Sequence, residues 1–452
     1  MSLPLTFSGR MRPLAYLFAS LGIFLSQHLT AVVVFELSWQ RLRALAADWH
    51  FYVMPLQTLA KHSNAPGLRL ILALAALLLA SWALSALAFR RAADADVSGW
   101  IAAFAIAPVV QIPTIVLLSA LPSRGTGGDR PPAKPEAQLD WATASLGLVI
   151  GVAVTLFAVA VSTLLFGAYG FGVFVASPFT IGATTGYFAN RKTDVGSWPT
   201  AKLTSGALLL GGLGLVIVAL EGLICILMAA PLAIACALVG ALMGRAIAVY
   251  TRRPPQQALS CFALLPIIFA LESSVPTVVQ FETHGRIQSR APASVVWKVL
   301  VNTDLSREPV ALPFRWGIAY PIRGEVLGEG IGSIRIGEFS TGTARERVTE
   351  WIPNRKLAFV MLNEVPAMRE LSPYATVHAP HVVGYFRTTN TSFELVPLED
   401  GGTELIERTS HVLRLEPVLY WLPLARWVVH ENNARVLTHI KRQAEKNHAA
   451  SH

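Results

Sequence analysis

The feature that most limits what this chain can fold into is a change of character near residue 276. An apolar run over 259–270 is framed by Arg252-Arg253-Pro254-Pro255 on one side and Glu272-Ser273-Ser274-Val275-Pro276 on the other. Before it, apolar stretches long enough to cross a bilayer follow one another. After it, short alternating stretches suited to strands take over. The first 275 residues carry 17 Lys/Arg and 10 Asp/Glu, and the remaining 177 carry 20 and 18. The low overall share of charged residues, 14% against roughly a quarter in soluble proteins, therefore comes mostly from the first part.

The net charge of +9 sits largely in loops beside the apolar runs, where basic residues orient and anchor a chain at lipid headgroups. No zinc-finger spacing or basic-aromatic interleaving points to nucleic acid, so none is expected as a partner. Cys225, Cys236 and Cys261 all lie in apolar segments, and the part after 276 has no cysteine. That part has neither a disulfide framework nor a cysteine metal site, and no metal or cofactor is expected.

A helix needs about 20 residues to cross the hydrocarbon core. Eight segments qualify or nearly do: 14–35, 68–88, 100–121, 142–166, 171–189, 203–223, 224–249 and 259–275. Gly172, Ser177-Pro178, Gly182 and Gly186 make the fifth a fair re-entrant or broken helix, so seven or eight spans are predicted. Stretch 39–61 mixes aromatic and basic residues in the manner of an interfacial amphipathic helix. The loop 122–140 is rich in Gly and Pro and reads as an exposed connection. Two intramembrane candidates stand out. Glu221 is a carboxyl near membrane depth, where ionisable groups are expensive and functional by default. A tight turn between two helices would instead place it at the interface. His28, beside Gln27 and Thr30, can meet such a carboxyl or serve as an ordinary interhelical hydrogen-bonding residue.

Phe7-Ser8-Gly9-Arg10 before the first apolar run, and Arg90-Arg91-Ala92-Ala93-Asp94-Ala95-Asp96-Val97-Ser98-Gly99-Trp100 before the third, resemble the DUF805 family of bacterial inner-membrane proteins. The resemblance covers roughly 5–121. It implies a multi-pass protein of the bacterial inner membrane and transfers no chemistry. Arg90, Arg91, Asp94 and Asp96 are expected to form a salt-bridge cluster anchoring the helix ends. Counting loop charges leaves open on which side the rest of the chain lies.

From residue 277 the pattern becomes β-branched and alternating. Strands are predicted over 278–287, 324–328, 332–339, 343–351, 356–362, 382–397 and 403–412, with a helix over 293–300. Asp400-Gly401-Gly402 is the turn between the last two strands, and a long amphipathic helix runs over 417–445. The expected unit is two-layer α+β. Its order, together with Gly317-Ile318-Ala319-Tyr320-Pro321-Ile322, Met368-Arg369-Glu370-Leu371-Ser372-Pro373-Tyr374 and His430-Glu431-Asn432-Asn433-Ala434-Arg435, resembles the START-like helix-grip (SRPBCC, polyketide cyclase type) superfamily. The fold class expected for the chain is thus a polytopic α-helical membrane region followed by a soluble helix-grip domain. Its divisions fall at 1–121, 122–141 (linker), 142–275, 276–447 and 448–452 (tail).

A curved sheet over one long helix leaves a cavity suited to hydrophobic ligands. Trp297, Phe314, Trp316, Phe359, Tyr385, Phe393, Trp421 and Trp427 are candidates for its lining, or simply core. Glu350, Arg369, Glu370, His378, His381, His430 and Glu431 are the polar candidates, for acid-base work, for meeting an anionic head, or for structure. The functional expectation is membrane-anchored binding or transfer of a lipid or other hydrophobic small molecule. An enzyme of the cyclase or hydratase kind and a ligand-free structural role stand as alternatives.

Overall fold

The structure, a computed structural model, describes residues 9–451 apart from 35–36, 49–50, 53–66, 98, 104, 106–110, 125–140, 167–168, 252–277 and 373–381. Two compact units divide the chain. Met1–Ile217 with Ala229–Ser274 and Pro417–Leu419 form one; Val218–Met228 with Val275–Glu416 and Tyr420–His452 form the other.

The first unit is helical. Its elements are α1 (Pro13–Val34), α2 (Trp39–Ala46), α3 (Gly67–Ala95), α4 (Gly99–Ala103), α5 (Gln111–Ala120), α6 (Trp141–Ala160), α7 (Ser177–Asn190), α8 (Ser197–Ile217) and most of α9 (Leu223–Thr251). Tyr16, Leu84, Leu87, Ile115, Leu118, Tyr187, Phe188, Met243 and Ile247 belong to one buried cluster. Arg91, fully buried, donates to the carbonyls of Leu118 and Leu121 at the end of α5 and pairs with Asp94. These are carbonyls that a helix end leaves without intrahelical partners. Within the basic-acidic motif, Arg91 and Asp94 thus hold the end of α5 from a buried position.

The expectation of seven or eight spans is corrected. Among the described residues three helices are long and apolar enough to cross a membrane: Pro13–Val34, Ser197–Ile217 and Leu223–Val249. Of run 100–121 the described helices are α4 and the ten-residue α5, and most of the residues between them lie outside the described ones. Run 142–166 keeps a shorter apolar α-helix, Ser145–Ala160, and then changes to a π-helical turn, Val161–Phe166. Run 171–189 opens as a π-helical turn, Gly172–Ala176, and α7 is buried along nearly its whole length. Run 68–88 lies in α3, part of whose side chains fall outside the described residues. Run 259–275 falls wholly outside them, as does most of loop 122–140. Of the predicted interfacial stretch, α2 is a helix with no buried residue.

The second unit is a sheet wrapped on a helix. Its strands are β1 (Val279–Ser289), β2 (Asn302–Asp304), β3 (Pro321–Leu327), β4 (Ile334–Phe339), β5 (Gly342–Ile352), β6 (Lys356–Met361), β7 (Phe386–Pro397) and β8 (Thr403–Leu413). They form one antiparallel sheet in the order β1-β8-β7-β6-β5-β4-β3-β2. Chain neighbours pair in a meander, and β1 closes against the last strand. Between β1 and β3 run α10 (Ala293–Val301), β2 and the single turn α11 (Leu312–Arg315). The long α12 (Val418–Ala449) ends the fold. The short β2, a start of β3 three residues before its predicted start and a start of β7 four residues after its own are the main departures from the expected strands.

Alternation explains the strands. In β1 and β5 buried and exposed residues alternate over most of the length, as a sheet with one covered face requires. The β7–β8 connection turns on Gly401 at φ +83°, with the Leu398 amide donating to the Gly402 carbonyl at 2.9 Å. A core of Trp297, Leu300, Val348, Leu357, Leu395, Leu405 and Ile440 fills one end between sheet, α10 and α12.

Candidate functional site

The other end of the sheet–helix interior is not filled. A cavity of about 240 Å³ remains there. Its helical wall is one face of α12: Trp421, Leu424, Ala425, Val428, Val429, Asn432 and Asn433 recur at steps of three and four. Its sheet wall comes from alternate positions of β8 (Glu407, Thr409, His411, Leu413) and from β4 to β7, including Arg335, Glu346, Phe359, Thr391 and Phe393.

One side is closed by the segment 364–368, which lines the cavity. Backbone bonds hold that segment: Ala319 N donates to Ala367 O at 2.9 Å, and Arg369 N to Gly317 O at 2.8 Å. Gly317 has φ +127°, and a Cβ there would run into the Arg369 carbonyl. Only glycine suits both conditions. Two of the phrases singled out in the sequence, around Gly317 and Met368, thus meet as one rim.

The cavity contains charged and polar groups that burial has changed. Arg335 and Glu346 form an ion pair, with side chains 15% and 3% exposed. The Arg335 guanidinium carbon also stands 4.5 Å from the centre of the Phe359 ring. Burial raises the Glu346 carboxyl, and Arg335 opposes the rise. Glu407 is more deeply placed. Burial pushes its carboxyl up to about 8, again against the pull of Arg335, so at neutral pH it is mostly the uncharged acid. Its Oε2 is buried without a hydrogen-bond partner. His411 lies stacked with Phe281 and Phe386, at centroid distances of 5.0 and 5.5 Å. Its ring nitrogens meet the hydroxyls of Thr388 at 3.1 Å and Thr409 at 2.8 Å. Burial lowers it to about 4, so it is neutral at pH 7. Asn433 Nδ2 donates to Thr283 and Thr409.

The residues proposed from sequence are scattered by this geometry. Phe359, Phe393 and Trp421 line the cavity. Trp297 is buried elsewhere, edge-on to Trp351 at 5.1 Å, and Phe314 is buried in the turn α11. Trp316 and Trp427 are exposed. Glu350 pairs with Lys356 at 2.7 Å on the open face. Arg369, His430 and Glu431 are exposed. Glu370 is half-buried and accepts from the Cys225 thiol of the same unit. Tyr385 is half-buried, its hydroxyl raised by burial. His378 and His381 lie outside the described residues. His28 is buried in α1, its ring nitrogens facing the carbonyls of Phe24 at 2.7 Å and Tyr52 at 3.2 Å. Glu221 is buried in the short turn between α8 and α9. Among the described residues no group of three or more His, Cys, Asp or Glu could hold a metal ion.

Sequence reasoning passed over Arg335, Glu346, Glu407 and His411. The signal for three of them was parity. Glu346 shares its strand face with Ala344 and Val348, and Glu407 and His411 share theirs with Leu405 and Leu413. Glu350 has the same parity as Glu346, but a register shift between Val348 and Glu350 turns it outward.

Residues 4–131 match the family described as "Protein of unknown function (DUF805)". No curated protein matches the sequence. Among solved structures, the ZhuI aromatase/cyclase from a Streptomyces species is similar at 18% identity, over 37% of this chain and 94% of that one, with a TM-score of 0.26. Norcoclaurine synthase from Thalictrum flavum is similar at 13% identity, over 38% and 98%, with a TM-score of 0.25. The chain thus has a DUF805-like N-terminal region, and its C-terminal unit, a curled antiparallel sheet closed by a long helix, resembles the helix-grip arrangement by its own strand order. The strand order and the long closing helix carry that resemblance, and these scores add nothing about chemistry.

Proposed function

We propose that the second unit binds a small, mostly apolar molecule in the sheet–helix cavity, and that the apolar helices of the chain keep this pocket at a bacterial inner membrane. The observation that carries the reading is the cavity itself, walled by Phe359, Phe393, Leu413, Trp421, Val428 and Val429. Removing apolar ligand surface from water there contributes about 25 cal/mol per Å². Attachment to a membrane raises the local concentration of a ligand that barely dissolves in water. Membrane lipids are then partners of the apolar helices. The cavity's size restricts its occupant: 240 Å³ lies just under the roughly 300–1,000 Å³ of typical ligand pockets. One ring system or one short chain suits it better than a whole two-chain phospholipid.

The test uses the full chain in lipid nanodiscs and the neutral fluorophore N-phenyl-1-naphthylamine. Binding predicts blue-shifted, saturable emission above that of empty nanodiscs, near one site per chain, and its loss in Ala425→Phe, which fills the cavity from α12. Emission identical in the variant would count against the cavity as the site.

A second reading is favoured by one observation. Glu407 is an acid kept protonated near neutrality inside a ligand-sized space, close enough to Arg335 to feel its charge, which is the condition for a general acid. A bound carbonyl compound would then be polarised for addition or cyclisation. Loss of turnover in Glu407→Gln with binding intact would distinguish this reading from binding alone.

A further inference from the structure

The polar groups of the cavity are nearly all committed to one another. Arg335 is taken by Glu346 and lies over Phe359. His411 is held through both ring nitrogens by Thr388 and Thr409. Asn433 spends its amide hydrogens on Thr283 and Thr409. Asn432 gives its amide to the Ala319 carbonyl at 3.0 Å. Among the described residues lining the space, two buried oxygens are left without a hydrogen-bond partner, Glu407 Oε2 and Asn432 Oδ1. A buried polar group left unpaired costs about 1–3 kcal/mol, so each is a place where a ligand's polar atom would be stabilising.

We propose that Glu407 is the polar recognition group of this cavity and that the ligand is an uncharged, mostly apolar molecule carrying a hydroxyl or carbonyl oxygen. The inference rests on the binding reading above and names the ligand class. The charge balance supports it. The Arg335–Glu346 pair is neutral as a unit, His411 is neutral, and a protonated Glu407 adds no charge. An anionic or cationic ligand would bring an uncompensated charge into a low-dielectric space, whereas a neutral oxygen would complete the hydrogen bonding. A carboxylic acid can donate to a carbonyl, or both donate to and accept from a hydroxyl. The group's surroundings keep it in that form: Arg335 from β4 and Glu346 from β5 are paired together, the β1 position opposite is Gly285, and α12 presents the neutral Asn433.

The experiment uses the full chain in detergent micelles and three matched medium-chain diazirine probes, ending in a hydroxyl, a carboxylate or an ammonium group. Photolabelled residues are mapped by peptide mass spectrometry. The hydroxyl probe is expected to label β8 and α12 about tenfold more than either charged probe, the factor of one hydrogen bond to a buried group. Glu407→Gln, which keeps a neutral donor and acceptor, should retain this preference, and Glu407→Leu should lose it. In the unaltered protein, the preference for the hydroxyl probe over the ammonium probe should shrink as pH rises through about 8, where Glu407 ionises and becomes a partner for a cation; this arm holds even where the leucine variant fails to fold. Cavity labelling that ignores the headgroup, the pH and residue 407 would overturn the assignment while leaving the binding reading intact. No cavity labelling by any probe would overturn both.

Discussion

Burial acts on Glu407 and His411 in opposite directions, and the pH dependence of stability should record the difference. Folding raises the Glu407 carboxyl from 4.5 to about 8, so between those values the folded state holds a proton that the unfolded chain has released. Its contribution to stability therefore falls with rising pH across that window, by up to about 1.4 kcal/mol per unit. Folding lowers His411 from 6.5 to about 4, so there the unfolded chain holds the extra proton and stability rises with pH. The two slopes oppose each other from about 4.5 to 6.5, and Glu407 acts without that opposition from about 6.5 to 8. Glu346, also raised, adds to the fall. Thermal unfolding at pH 6.5 and 8 is predicted to show a larger loss in the unaltered protein than in Glu407→Gln. Equal losses would mean that Glu407 titrates normally. Ion pairs supply a second contrast. Arg335→Met strands a buried Glu346 and should destabilise by about 3 kcal/mol, whereas Lys356→Met breaks an exposed pair with Glu350 and should cost under about 1 kcal/mol. At this scale the sequence was misleading where a bulge intervened, at Glu350, and where an aromatic residue was judged by type alone, at Trp297, Trp316 and Trp427. Arg335 carried no sequence signal, because a lone arginine on a strand is usually a solvent-facing one.

Elements were more legible than side chains. Strands β4 to β8 and helix α12 stand close to where alternation and the three-four spacing put them, because one buried face imposes its period on the sequence. Membrane helices were over-read for the complementary reason. Apolar content measures the cost of leaving lipid and says nothing of whether the helix is regular, as the π-helical turns after α6 and before α7 show. Glycines in the helical unit also do different work in different places. A Cβ at Gly240 or Gly244 of α9 would strike the α7 backbone at Phe179 or Ala183, and one at Gly182 would strike Ala237 of α9. At Gly206 of α8 a Cβ meets nothing within 4 Å. Gly240→Ala is therefore predicted to destabilise by about 1–3 kcal/mol through overpacking. Gly206→Ala should be neutral or stabilising by up to about 1 kcal/mol, since alanine costs less than glycine in a helix. Unfolding midpoints in detergent decide this, and equal effects at the two sites would refute the close packing of α7 on α9.

For the whole molecule, a chain with apolar membrane-length helices carries a sheet–helix unit whose cavity can enclose a small molecule. The expectation of a cavity followed from the curvature of the sheet, but its polar contents did not, because Glu407 of β8 meets Arg335 and Glu346, partners across β4 and β5, only through the curling of a sheet in which β6 and β7 lie between. The central claim is that this enclosure is a binding site. Native mass spectrometry of the full chain, released gently from detergent, measures that most directly when unaltered protein and Ala425→Phe are run side by side. A fraction of the unaltered chains is expected to carry one added neutral mass of small-molecule size, absent from the variant. An unaltered protein with no added mass, both as purified and after incubation with the hydroxyl-ended probe, or an adduct that persists undiminished in Ala425→Phe, would contradict it.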